Sequence, residues 1–244
     1  MLEKTKWIIK NPDKAIHEIY SMVDRHANHK SFRNLLMENN KHICYLDFSS
    51  FCNQFNIKII KPKIKVRFDD GEVYRRLMMF DFEMDVLCNL AKGSGVVFEI
   101  GTNRGYSITN MAYNMSVNSI CHTLDWVDRD EWDAEIGHFF KNDIKMNKRI
   151  IQHYGDSTKF DFSPFYETVD LFFIDGGTSH NIISSDSHNA FRCVKKGGFI
   201  VWHDFYGLSL DYYGLTKAII DFVEEYGMKL YFINGTRLVI ANKT

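Results

Sequence analysis

Nowhere in the chain do about 18 uncharged apolar residues run together, so no segment reads as a membrane-spanning helix. The first residues, Met-Leu-Glu-Lys-Thr-Lys, lack the apolar core of a secretory signal. A cytoplasmic protein with no membrane partner is expected. Cysteine is sparse: Cys44, Cys52, Cys88, Cys121 and Cys193 are odd in number and include no C-x-x-C pair. That argues against a disulfide frame or a zinc site and for reduced thiols. Neither sign of charge dominates, and a net charge of -1 gives no electrostatic basis for nonspecific nucleic-acid binding.

What is present is ample apolar material. With 244 residues, 45% of them hydrophobic and 15% aromatic, the chain can bury the core of one α/β domain carrying an appendage. Charge divides it: residues 1–65 hold 12 Lys and Arg against 6 Asp and Glu, and the remainder is acidic. Residues 1–65 are therefore read as a helical, basic extension that pairs subunits of a homo-oligomer or covers a pocket, and residues 66–244 as the functional domain. In the extension, Asn11-Pro12-Asp13 has the form of a helix start, followed by Ile16, Ile19, Tyr20 and Val23 on one face. A second short helix is expected over 31–38. From Lys58 to Phe68, Ile64, Val66 and Phe68 alternate with Lys63, Lys65 and Arg67. That pattern predicts a lysine-guarded edge strand or an electropositive rim for an anionic substrate.

Beyond the extension, helical spacing of Val73, Leu77, Phe80, Met84, Leu87 and Ala91 predicts a helix ending at Lys92-Gly93. Strands then alternate with helices: near 96–100, 119–124, 150–154, 169–174 and 198–202, with helices through Ile183–Val194 and Leu215–Tyr226. Such alternation predicts a parallel sheet covered by helices on both faces. The end differs, because Lys229–Ile233 and Arg237–Ile240 flank Asn234-Gly235-Thr236, a hairpin signal.

The most informative stretch runs from Val96 to Ser107, where an apolar strand opens directly into a loop bracketed by Gly101 and Gly105. Glycines there let the backbone bend sharply and approach a ligand closely. The spacing is not G-x-G-x-x-G, since Asn103 and Tyr106 hold the third and sixth positions, so pyrophosphate binding and a nicotinamide-dependent oxidoreductase are disfavoured. Glu99, two residues before Gly101, suits a cationic or hydroxyl-rich ligand without phosphates, such as S-adenosylmethionine.

Glu99, Gly101, Gly105 and Ser107 resemble the first motif of the class I S-adenosylmethionine-dependent methyltransferases, E-x-G-x-x-x-G-x-S. The resemblance implies a Rossmann-like, mostly parallel seven-stranded sheet of order 3-2-1-4-5-7-6 with the last strand antiparallel. It implies cofactor contacts at Glu99, Gly101, Asn103, Gly105, Ser107 and Asp175, with Asp125 on the ribose and Trp126 stacked on the adenine. Asp156 and Ser157 would meet the adenine amino group. Acids at strand ends fit this, because open α/β sheets bind ligands outside the carboxyl ends of their strands. Asp125 and Asp156 are also read as a helix cap and an Asx turn.

Two further segments, Phe172-Phe173-Ile174-Asp175-Gly176-Gly177 and Gly197–Asp204, each end an apolar strand in acids, with Asp186 on the helix between. The pattern resembles the macrocin-type sugar O-methyltransferase and cephalosporin-hydroxylase-like branch over roughly 72–240. That implies a magnesium ion on Asp175, His203 and Asp204, although His203 stands where relatives carry a carboxylate. Thr178 and His180 also depart from the branch, which has a histidine three places after the aspartate and an aromatic two beyond it. The expected reaction is direct methyl transfer to a hydroxyl of a sugar or glycosylated natural product. Asp175, His203 and His180 form the catalytic group, with His203 either a general base or a metal ligand. The alternatives are a noncatalytic S-adenosylmethionine-binding protein and a metal-free methyltransferase of another small acceptor. A nucleic-acid base methyltransferase is disfavoured: its D/N/S-P-P-Y/F motif is missing, the prolines being Pro12, Pro62 and Pro164.

Overall fold

The computed structural model describes residues 41–65, 79, 81–126, 136–205 and 210–244. The helices expected over 11–23 and 31–38, the start of the one expected from Val73, and Val66 to Phe68 lie outside these residues. Eight strands form one sheet: β1 (Ile43–Leu46), β2 (Val96–Ile100), β3 (Ile120–Asp125), β4 (Ile150–Tyr154), β5 (Val169–Ile174), β6 (Val194–Trp202), β7 (Leu230–Ile233) and β8 (Val239–Asn242). Their order is β1-β7-β8-β6-β5-β2-β3-β4. Strands β2 to β8 reproduce the expected seven-stranded order, with β8 antiparallel to both β6 and β7. The eighth strand is the difference. Ile43–Leu46 pairs in parallel with β7, so part of the expected extension is built into the sheet.

The helices are α1 (Phe48–Gln54), α2 (Asp81–Ala91), α3 (Tyr106–Asn114), α4 (His138–Lys141), α5 (His180–Cys193) and α6 (Leu210–Glu225). Helix α1 starts where the Asp47 carboxylate accepts the Ser50 N–H at 2.9 Å, an N-cap. Because side chains alternate across a strand, the sheet builds two cores. On one face Phe98, Phe172, Ile200 and Trp202 pack with Ile183 and Ala190 of α5 and Ile219 and Phe222 of α6. On the other Val97, Phe173, Val201 and Tyr231 pack with Phe51 of α1, Leu87 of α2 and Met111 of α3. Each large side chain so buried contributes about 1.5 to 3 kcal/mol. All five cysteines are free thiols. No helix among the described residues is long and apolar enough to cross a membrane.

Residues 58–65 correct an expectation, because they form no strand. Asparagine side chains meet their backbone instead. Asn89 Oδ1 accepts the Ile60 N–H at 2.7 Å, Asn114 Oδ1 that of Lys63 at 2.9 Å, and Asn110 Oδ1 that of Lys65 at 2.9 Å. Asn89 and Asn114 also donate back to the carbonyls of Ile60 and Lys63. Primary amides thus do the work of a neighbouring strand, and the segment climbs α3 from its C-terminal end toward the glycine loop that opens it.

Strand β1 satisfies the outer edge of β7, and Phe51 stacks edge-on against Tyr231. Deleting residues 1–65 should therefore bare that edge and the apolar face under α1, and the product should aggregate. Size-exclusion chromatography checks this: a truncated chain that elutes as a monodisperse species with the full-length assembly state would refute it.

Candidate functional site

At the carboxyl end of β2 the backbone turns through Gly101, whose φ is +100°. A Cβ there would lie 2.0 Å from the carbonyl oxygen of Asp175, so only glycine lets the β2 and β5 loops pass. Asn103 follows in the left-handed region, and Gly105, also left-handed, opens α3 against the Phe140 ring. From the end of β3, Asp125 latches this loop: its Oδ2 accepts the Asn103 N–H at 2.6 Å, and its Oδ1 that of Trp126 at 2.7 Å. The Trp126 side chain is 48% exposed.

Glu99 corrects the expectation of a ligand-facing acid. Strand alternation turns it toward α3, fully buried beneath the loop. There it accepts hydrogen bonds from the hydroxyls of Ser107 and, at 2.6 Å, Thr123. Burial raises its pKa to about 8 against the pull of those two hydroxyls, so near neutral pH it is a carboxylic acid. Glu99 and Ser107 brace the loop from below. After β4, Asp156 accepts the N–H and hydroxyl of Thr158 and pairs with Lys159, an Asx turn. Asp186 is buried on α5 beside Ser157, and burial lifts it to about 7, the Ser157 hydroxyl opposing.

The ends of the adjacent strands β5 and β6 carry the charged centre. His203 Nδ1 meets Asp175 Oδ1 at 2.9 Å, and its Nε2 meets Glu83 Oε2 of α2 at 3.2 Å. Arg237, just before β8, donates to Glu83 from its backbone N–H at 2.6 Å and from Nη2 at 3.0 Å. Its Nη1 reaches Asp204 Oδ1 at 2.8 Å. Asp204 itself sits at φ 57°, a left-handed conformation that aspartate tolerates better than most residues. Asp175 and Asp204 are 30% and 22% exposed, whereas His203 is 4% exposed and Glu83 not at all. Asp175 and Asp204 are the more exposed members of the group, and His203, Arg237 and Glu83 lie behind them.

Burial disfavours a charged His203, but Asp175 and Glu83, with Asp204, outweigh it and raise the imidazole to about 10. Glu83 is equally buried, yet its bonds to His203 and Arg237 hold it down at about 2. Burial raises Asp204, against His203 and Arg237. An imidazole that donates from both nitrogens to carboxylates has no lone pair for a proton, which corrects the expectation of His203 as general base.

Asp175, His203 and Asp204 do converge, with ligand atoms within 4.8 Å of one another. They do not suit magnesium. Both His203 nitrogens meet carboxylates, the Arg237 guanidinium lies on an Asp204 oxygen, and a hard cation prefers oxygen donors it does not share with a fixed positive charge. His180 opens α5 but turns to α6, pairing with Asp221 at 3.2 Å rather than with the Asp175 cluster. Sequence reading missed Glu83 and Arg237. Glu83 had a signal: an acid four residues before Leu87, on an otherwise apolar helical stripe, must be buried with a partner. Arg237 had none.

Residues 98–205, from within β2 to just past β6, match the family model of a methyltransferase domain. No curated protein matches the chain. Among solved structures, the chain resembles the O-methyltransferase from Bacillus cereus in complex with SAH at 20% identity and a TM-score of 0.52. That match covers 68% of this chain and 83% of the other. It also resembles the SAH-bound methyltransferase PaMTH1 of Podospora anserina, at 12% identity and a TM-score of 0.56, over 89% and 97% of the two chains. Residues 98–205 thus resemble a methyltransferase domain, and the solved structures share the fold of the chain.

The raised pKa values of Glu99, His203 and Asp186, which is raised from 3.8 to about 7, bear on the pH dependence of stability. A folded state that binds protons more tightly than the unfolded chain loses stability as pH rises. Glu99 does so between 4.5 and about 8, and His203 between 6.5 and about 10. Glu83 works oppositely, its contribution disappearing as pH falls from 4.5 toward about 2. Urea denaturation should show the highest stability near pH 4.5 and a decline above it, which Glu99→Gln should lessen up to about pH 8. Wild-type stability rising from pH 6 to 9 would contradict these assignments.

Proposed function

We propose that this protein transfers the methyl group of S-adenosylmethionine to a hydroxyl of a small polyhydroxylated molecule, a sugar or a glycosylated natural product. The observation that carries the reading is charge. Glu83, Asp175 and Asp204 outnumber the two cations they face, His203 and Arg237, and Asp125 adds a carboxylate at the glycine loop, so the surroundings of the loop are acidic. A sulfonium cation is favoured there.

In this reading the cofactor lies over the Gly101–Gly105 turn, with Asp125 offering carboxylate oxygens to the ribose and Trp126, Asp156 and Ser157 lining the adenine end. Asp175 takes the place the sequence assigns to histidine. It is the most exposed of the five charged side chains and is held by His203 from behind. The acceptor oxygen attacks the methyl carbon in line, the carbon–sulfur bond breaks to leave a neutral thioether, and the hydroxyl proton passes to Asp175. Alignment supplies most of the acceleration and proton transfer a smaller share. The sugar class is supported by the Asp175 and Gly197–Asp204 segments and by the acids at the crevice.

Calorimetry should show S-adenosylhomocysteine binding that Asp125→Ala weakens by about 1 to 3 kcal/mol, the cost of leaving buried hydrogen-bonding groups unpaired. Asp175→Asn should lower turnover by about 10²- to 10⁴-fold, the usual worth of a general base, while changing this affinity little. Stabilisation by a nicotinamide dinucleotide but not by S-adenosylhomocysteine would refute the cofactor. Transfer to phenols or carboxylates with sugars inert would refute the acceptor class.

A further inference from the structure

We infer that the Arg237 guanidinium, joined to His203 through Glu83, stands in this centre where a divalent cation would otherwise bind, so that it works without a metal. The inference rests on the methyl-transfer reading for its catalytic half and on geometry alone for its binding half.

A carboxylate behind a histidine is by itself ambiguous, because proteins brace metal-bound imidazoles in that way too. Arg237 decides between the two. Its guanidinium keeps its charge at any working pH and presents a rigid fork. One arm grips the Glu83 carboxylate that holds His203, and the other lies 2.8 Å from Asp204 Oδ1. That same oxygen is 3.5 Å from His203 Nδ1. An ion seated among Asp175, His203 and Asp204 would compete with the guanidinium for Asp204 and with Asp175 for His203. Charge points the same way. Glu83, Asp175 and Asp204 already have Arg237 and His203 as hydrogen-bonded partners, so a divalent ion would have to displace them rather than fill a cluster of unneutralised acids. Arg237 and Glu83 are thus positioning residues, acting on the crevice acids through His203 and Asp204.

The probe is Mn²⁺, whose free aqueous ion gives a six-line paramagnetic resonance spectrum that fades on binding. Wild-type protein, with and without S-adenosylhomocysteine, should leave that signal undiminished, and its methyl transfer should be unchanged within about twofold between chelator and added magnesium. Arg237→Met uncovers Glu83 and Asp204 and should raise Mn²⁺ affinity by about tenfold or more, whereas Arg237→Lys, which keeps the charge, should not. One Mn²⁺ bound per wild-type chain and lost in Asp204→Asn would overturn the inference, and that comparison stands even if Arg237→Met does not fold. Failure of S-adenosylhomocysteine to bind in either buffer would remove the methyltransferase reading and leave the Mn²⁺ result to decide the metal by itself.

Discussion

The Glu83 carboxylate is sealed from solvent and is the constraint on which the site depends. An isolated charge in that position would be prohibitively costly, so it requires partners, and those it has come from far along the chain. Arg237 reaches it from the β7–β8 hairpin and His203 from the end of β6. Through them it is linked to Asp175 on β5 and Asp204 after β6. One buried anion thereby ties α2, two central strands and the hairpin into a single polar assembly. Removing one member strands the rest unpaired, which is why such networks are costly to break even where their net contribution is small.

A second buried glutamate shows what the partners decide. Glu83 and Glu99 are both at 0% exposure, yet one is an anion and the other a neutral acid. Glu83 faces a guanidinium and an imidazolium, which hold its proton off. Glu99 faces hydroxyls, which do not repay its desolvation, and the nearby Asp175 and Asp125 carboxylates push the same way as burial. The difference suits their positions. A charge beneath the glycine loop would add to the acids above it, whereas a neutral acid gives the loop a hydrogen-bonded floor. The loop and the charged centre then meet at Gly101, where the absence of a side chain lets the two halves of the site touch.

The sheet was legible because its strands are buried on both faces and read as apolar runs, Val96–Ile100 and Val169–Ile174 above all. The hairpin was legible because Asn234-Gly235 is local turn chemistry. The placement of Ile43–Leu46 beside β7 was not, because a four-residue strand gains its identity from the edge it pairs with, 187 positions away in register. Residues 58–65 misled for a related reason: alternation of isoleucine and lysine is shared by an edge strand and by an extended segment hydrogen-bonded to asparagine side chains.

For the site, the sequence by itself determined the residues that depend on backbone conformation and on strand ends. The glycines at 101 and 105 and the acids at 125, 175 and 204 are in that group, since each follows from where a buried strand must stop. Only the tertiary structure decided their electrical state. Whether His203 is a base, a metal ligand or a fixed cation depends on Glu83 and Arg237, and whether Glu99 is charged depends on which groups line its pocket. Charge in a protein interior is set by neighbours a few ångströms away in space, and distance along the chain carries no record of them.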